Sequence, residues 1–164
     1  MQYNIGNATI SLKRPPANHR ISPMGLHFHE VFECLSLDNI VLLVRALVCE
    51  RQVFLHSSQH SLLSMTAEVL TALMYPFHWV GAYIPVLPRG LIQAVHAPVP
   101  FLVGAPTDTW REIGDLPPQV VQVDLDRNYV FVHGGHPVPQ LPSKQRTKLM
   151  RNLAARANVY SNRM

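Results

Sequence analysis

The chain holds only two cysteines, Cys34 and Cys49, in 164 residues. A multi-disulfide framework and a cysteine-rich metal site are therefore excluded. The apolar neighbours of both predict buried free thiols in a reducing compartment. Charge is sparse as well: 15% of residues are charged against 48% hydrophobic, which excludes an overall disordered chain. The length favours one domain with a sizeable core. Acidic residues are missing altogether after Asp126. Residues 1–126 carry seven Lys/Arg against all ten acids, and residues 127–164 carry seven Lys/Arg against none. The overall +4 is therefore a property of the tail, which could meet nucleic acid, anionic lipid or an acidic neighbour, or simply form a solvated helix face. Long apolar runs are lacking too. Residues 40–49 and 62–75 fall short of the roughly 20 residues a membrane helix needs, and Arg45 and Glu68 interrupt them. Residues 1–15 show no signal-peptide pattern. A soluble cytosolic chain is the expectation. Finally, no G-x-x-x-x-G-K-[ST] loop and no G-x-S-x-G elbow occurs, which removes the usual signals for a P-loop nucleotide site and for a serine hydrolase.

Proline, by contrast, is plentiful, with fourteen residues, and it punctuates the loops. Residues 3–13 alternate loosely around Ile5, Ala8, Ile10 and Leu12 and predict a strand or strand pair. The Pro-rich "RPPANHRISPMG" follows, so residues 1–25 read as a lead-in and residues 26–164 as the main domain. "DNIVLLVRALVCE", 38–50, predicts a helix buried on more than one side, with Asp38 as N-cap. "QVFLH", 52–56, reads as a buried strand. Residues 60–75 form a second helix with Leu62, Leu63, Met65, Val69, Leu70, Leu73 and Met74 as core candidates, stopped by Pro76. Strands are expected at 82–87, 99–103, 119–124 and 129–132, the last two antiparallel because "DRN" is so short a turn. A short helix is expected at 107–113. A basic helix closes the chain at 143–159, with Ser143 as a possible cap. Strand–helix alternation with short connections predicts an α/β fold: a mostly parallel sheet with helices on both faces, in three layers.

Candidate chemistry is thin. His27 and His29 in "LHFHE" would share one face of a strand, with Glu30 beside them and His133 or His136 of "HGGH" as a third ligand; the spacing matches no strong metal pattern. Asp124 and Asp126 share a strand face and would suit Mg²⁺ or acid–base work, yet Asp and Asn equally suit a turn. Ser57, Ser58 and Ser61 stand where a helix begins, and helix capping is the plainer reading. The stretch "ALMYPFHWVGAYIPVLP" packs Tyr75, Phe77, His78, Trp79 and Tyr83 around a proline. Its aromatics are expected mainly to fill the corner where the chain changes layer, with any exposed member available as an interface anchor.

Taken in order, "CERQVFLHSS", "LTALMYPFHW", "YIPVLP", "APVPFLVG" and "VVQVDLD" resemble the central region of the DENN domain family, over about residues 30–126. The resemblance implies the central α/β part of a C-lobe that follows a longin-type lobe and precedes a helical part. No upstream longin lobe is visible in this sequence. It also implies a guanine-nucleotide exchange factor for Rab GTPases in vesicle trafficking, a regulator without bond chemistry, acting in the cytoplasm or on endosomal and vesicle membranes. A non-catalytic scaffold or GTPase-binding module is the alternative, and a metal-dependent hydrolase a poor third. No cofactor and no nucleic acid is expected. Such a factor works through a surface, and strand-end loops are the default place for one. Ser57, Ser58 and Gln59, the corner residues His78 and Trp79, and Arg89 and Gln93 after "VLP" are the expected partner-binding residues. The basic tail is expected to give weak contact with anionic membrane.

Overall fold

A computed structural model describes residues 2–5, 8–11, 28–133 and 135–161. The elements are β1 (Gln2–Ile5), β2 (Ala8–Ser11), α1 (Phe28–Cys34), α2 (Leu37–Val48), β3 (Val53–Ser57), α3 (His60–Leu73), β4 (Ala82–Ile84), a 3₁₀ helix (Arg89–His96), β5 (Phe101–Pro106), α4 (Thr107–Ile113), β6 (Val121–Asp124), β7 (Tyr129–Phe131) and α5 (Ser143–Ser161). β1 and β2 pair as an antiparallel hairpin. The other strands form one sheet in the order β4-β5-β3-β6-β7, parallel except for β7.

The sheet explains its own sequence. β3 lies at its centre, and all five of its residues are buried. A strand covered on both faces reads as a continuous apolar run. Val53 and Leu55 point into one core with Leu43 and Leu47 of α2 and Leu63 and Leu70 of α3. Phe54 points into the other, with Val95 of the 3₁₀ helix and Ile113 of α4. Helices thus cover both faces, giving the expected three layers. Burying one such leucine or phenylalanine is worth about 1.5–3 kcal/mol. Gly104 of β5 is required by a close approach: a Cβ there would sit 2.2 Å from the carbonyl oxygen of Pro85.

Several expectations are corrected. The "LHFHE" region is not a strand: α1 begins at Phe28 and carries His29, while His27 and the Pro-rich 14–25 lie outside the described residues. Asp38 does not cap α2. The Ser36 hydroxyl does, accepting from the Asn39 N–H at 3.3 Å, and Asp38 instead pairs with Arg146 of α5 at 2.5 Å. Cys34, the last residue of α1, is half-buried, and Cys49, which caps the end of α2, is exposed. Burial and the neighbouring Glu33, Asp126 and Glu30 carboxylates push the Cys34 thiol pKa up. Met65 and Leu73 are only half-buried, since they flank the buried stripe of α3. The strand expected at 82–87 stops at Ile84, before Pro85. The 3₁₀ helix was not foreseen. Ser143 opens α5 as its first residue rather than its cap.

Long-range hydrogen bonds tie the apolar layers. Arg45 donates to the carbonyls of Val138 and Pro139, and Arg51 to those of Gln119 and His136 at 3.1 and 3.0 Å. These guanidiniums hold the 136–139 loop under α2, which explains two arginines inside otherwise apolar sequence.

Candidate functional site

The expected partner-binding residues fall at two ends of the sheet and on one of its faces. Ser57 is level with Pro106, whereas Ala82 is level with Phe101. The five-residue difference along β5 separates the two ends by about 16 Å. Ser57, Ser58 and Gln59 leave the carboxyl end of β3. His78 and Trp79 precede β4, at the amino end. Arg89 and Gln93 sit on the 3₁₀ helix, on the second face. The structure does not bring the seven into one surface.

The carboxyl end is a closed polar network. Asp126, in the β6–β7 turn, accepts from the Ser57 hydroxyl at 2.6 Å and from the Ser58 N–H at 2.8 Å. The Ser57 oxygen in turn accepts from the Gln59 N–H at 3.0 Å. Partial burial works against the Asp126 charge, but these donors outweigh it and hold its pKa below the usual aspartate value. Asn128 takes φ 52°, a left-handed conformation that asparagine tolerates well. Its Oδ1 accepts from the Ser36 N–H and from the Asn39 amide, both at 2.8 Å. Gln59, not a serine, occupies the N-cap of α3, and its side chain makes no capping bond. The capping expected of Ser57, Ser58 or Ser61 is therefore replaced: Ser57 ties β3 to the β6–β7 turn. Beside this network lies a cavity of about 510 Å³, lined in part by Glu33, Cys34, Gln59 and Arg127.

The amino end is open. Tyr75 is 59% exposed, Phe77 61% and Val80 81%, and His78 is exposed too. The expectation that these aromatics fill the corner holds only for Trp79, which is half-buried against the first core. Its indole N–H donates to the Ala82 carbonyl at 3.2 Å. Gly81 makes room for it: a Cβ there would lie 2.6 Å from the indole and 2.6 Å from the Pro100 carbonyl oxygen. Tyr75 and Phe77 come after α3 ends at Leu73, past the buried stripe of that helix. Tyr83 extends the patch along β4. It donates to the Glu68 carboxylate at 2.5 Å, and burial and then that carboxylate push its pKa up. β4 is an edge strand. Arg89 pairs with Glu112 at 3.5 Å, and Gln93 is exposed.

A family model of the DENN (AEX-3) domain matches residues 1–128. The chain belongs to the DENN domain family. DENN domain-containing protein 2C of Homo sapiens is 32% identical over 157 residues, covering 95% of this chain and 17% of that protein. DENN domain-containing protein 2D of Homo sapiens is 31% identical over 154 residues, covering 93% of this chain and 32% of that protein. Elicitor of plant defense protein 1 of Fusarium odoratissimum is 37% identical over 152 residues, covering 91% and 16% respectively. This DENN chain thus spans about a third or less of the length of these relatives.

For metal chemistry the DENN chain offers little. His29 pairs with Glu33 at 3.2 Å on α1, and Asp124 accepts from the Arg127 N–H at 3.1 Å. Among the described residues no group of three His, Cys, Asp or Glu side chains is placed to hold a metal ion. Likewise, among them no helix is long and apolar enough to cross a membrane. Sequence reasoning missed Asp126 as the residue that orders the Ser57–Gln59 loop and Asn128 as the one that ties the same turn to the start of α2. The signal available was "DRN" itself, a turn able to bond back across the sheet. It also missed Val80, whose exposure no local pattern announces.

Proposed function

We propose that this DENN chain binds a Rab GTPase and promotes GDP release, with the 75–80 corner as a principal contact. The observation that carries the reading is the exposed run of Tyr75, Phe77 and Val80 in a DENN-family fold. Aromatic anchors dominate interface energetics, and a folded domain does not ordinarily expose a patch of this kind without use. Exchange needs no nucleophile. The factor binds the nucleotide-free GTPase better than the GDP form and so lowers the barrier to release. The carboxyl-end loop, Ser57–Gln59 with Asp126, is the second contact in this reading, its backbone set in advance by the network. α5 lies at the side of the module: Leu149 and Leu153 face α2, while Lys144, Lys148 and Arg151 follow one another at helical spacing on the other side. We read that stripe as a weak contact for anionic vesicle membrane.

The test is fluorescent-GDP release from a panel of Rabs. Acceleration of one Rab, abolished by Phe77→Ser with Val80→Ser in a folded protein, supports the reading. A Rab that binds this chain without faster release favours the alternative, a GTPase-binding scaffold. That alternative draws support from the carboxyl-end groups being bonded to one another rather than aimed outward. No binding to any Rab overturns both.

A further inference from the structure

The second face of the sheet is covered by the 3₁₀ helix and α4 over β5 and β3, but over β6 and β7 it opens into a cavity of about 360 Å³. Trp110 of α4, Phe131 of β7, His133, Asp115 and Gln122 of β6 contribute its aromatic and polar lining. Three features of the lining act together. The indole of Trp110 is backed by the His56 ring, stacked at 5.3 Å and 15°, and by Phe54 at 5.3 Å, so its plane is fixed. Phe131 and His133 meet edge to face, 6.2 Å apart at 86°, forming a corner of two perpendicular rings. Asp115 carries a carboxylate with no ion pair among the described residues, and no lysine or arginine lines the cavity. Ring faces attract a cation through their quadrupole, most strongly when water is partly excluded. A single carboxylate adds the matching charge, and Gln122 adds an uncharged polar wall, its Nε2 3.5 Å from the His56 ring nitrogen. The volume lies at the small end of the ligand-site range, which suits a head group or one side chain rather than a folded partner.

We propose that this cavity binds a methylated or quaternary ammonium group, held between the Trp110 indole and the Phe131–His133 corner with Asp115 as counter-ion. The proposal stands apart from Rab binding, and its failure leaves that reading intact.

The test uses the full chain. Choline and its neutral carbon isostere, 3,3-dimethylbutanol, are titrated while the Trp110 indole N–H is followed by NMR, with Trp79→Phe assigning the two indoles. A saturable shift with choline and none with the isostere is expected. Phe131→Ala and Asp115→Asn should each weaken choline binding by about fivefold or more, with the rest of the spectrum folded. Equal responses to choline and the isostere, or no response to either from folded protein, overturn the proposal. So does unchanged choline affinity in both variants. Two further arms identify the source of the group. Preference for a trimethyl-lysine peptide over its unmodified form assigns a polypeptide. Cosedimentation with phosphatidylcholine vesicles, lost in Asp115→Asn, assigns a lipid head group.

Discussion

The two ends of the parallel sheet are built on opposite plans. At the carboxyl end, Ser57, Ser58, Asp126 and Asn128 spend their hydrogen bonds on one another and on α2. At the amino end, Tyr75, Phe77 and Val80 face outward beside Trp79, which pins the corner to the first core. In sequence, α3 alone separates the Ser57–Gln59 loop from the Tyr75–Val80 corner, yet the first is finished and the second unfinished. A finished polar network stabilises the fold and fixes a loop. An exposed aromatic run contributes little to stability but supplies a surface on which a partner can bury area. The exposed side chains of the second end should therefore show themselves in binding, and the network of the first end, with the Trp79 pin, in denaturation.

The largest stability effect is expected at the pin. Trp79→Ala removes a half-buried ring from the first core and its bond to Ala82, and should cost about 2–3 kcal/mol, below the 3–5 of a fully buried tryptophan. Urea unfolding measures it. A cost below about 0.5 kcal/mol would mean that the corner has no anchor at all. Next comes the polar end. Asp126→Ala leaves the buried Ser57 hydroxyl without its acceptor and should cost about 1–2 kcal/mol. Asn128→Ala should cost a similar amount, because it loses the acceptor for Ser36 and Asn39 and places alanine at positive φ. Asn128→Gly relieves the backbone part only, so the difference between the two variants separates conformation from hydrogen bonding.

Acid should blur the contrast in a fixed direction. Asp126 has a folded pKa below its ordinary value, so its contribution is fully present above the unfolded pKa of about 3.9 and is lost as pH falls through the lower folded value. The stability gap between the native chain and Asp126→Asn should therefore be constant at neutral pH and close in strong acid. His56 acts earlier. Burial lowers its pKa, the nearby Asp124 and Asp126 opposing, so its stabilising effect begins to fade as pH drops below about 6.5. Denaturation curves at pH 7, 5 and 3 resolve the two. A gap for Asp126→Asn that fails to narrow in strong acid contradicts the network.

The central architecture was legible because burial on both faces leaves a strong mark. β3 is an unbroken buried run, and α2 and α3 show apolar repeats long enough to distinguish from strands. The short β6–β7 turn announced its antiparallel pair. The 3₁₀ helix at Arg89–His96 was not legible: it contains a kink at Leu91, and only Val95 is buried, so no period develops. α1 was hidden by two histidines that suggested ligands, when seven residues gave too little pattern to decide. The site was legible in residue type but not in place. Ser57–Gln59 and His78–Trp79 both looked like loop residues, and only strand order reveals that they leave opposite ends. Asp126 looked like chemistry or turn and is the bond that joins the turn to the loop.

The smallest effect on stability is the most informative for function. Phe77→Ser and Val80→Ser replace side chains that are 61% and 81% exposed, and exposed substitutions change stability by about 0.5 kcal/mol or less. Both together should leave the urea midpoint nearly unmoved, with the slope unchanged. Their effect on Rab affinity should instead be large: a buried aromatic anchor at an interface is worth about 2 kcal/mol or more, equivalent to roughly thirtyfold in Kd. The ratio between the two measurements is what defines an unfinished surface. If the double variant unfolds as readily as Trp79→Ala, the corner is part of the core and its exposure carries no functional meaning. If it keeps both its stability and its Rab affinity, the contact lies elsewhere, and the Ser57–Gln59 loop becomes the surface to mutate next.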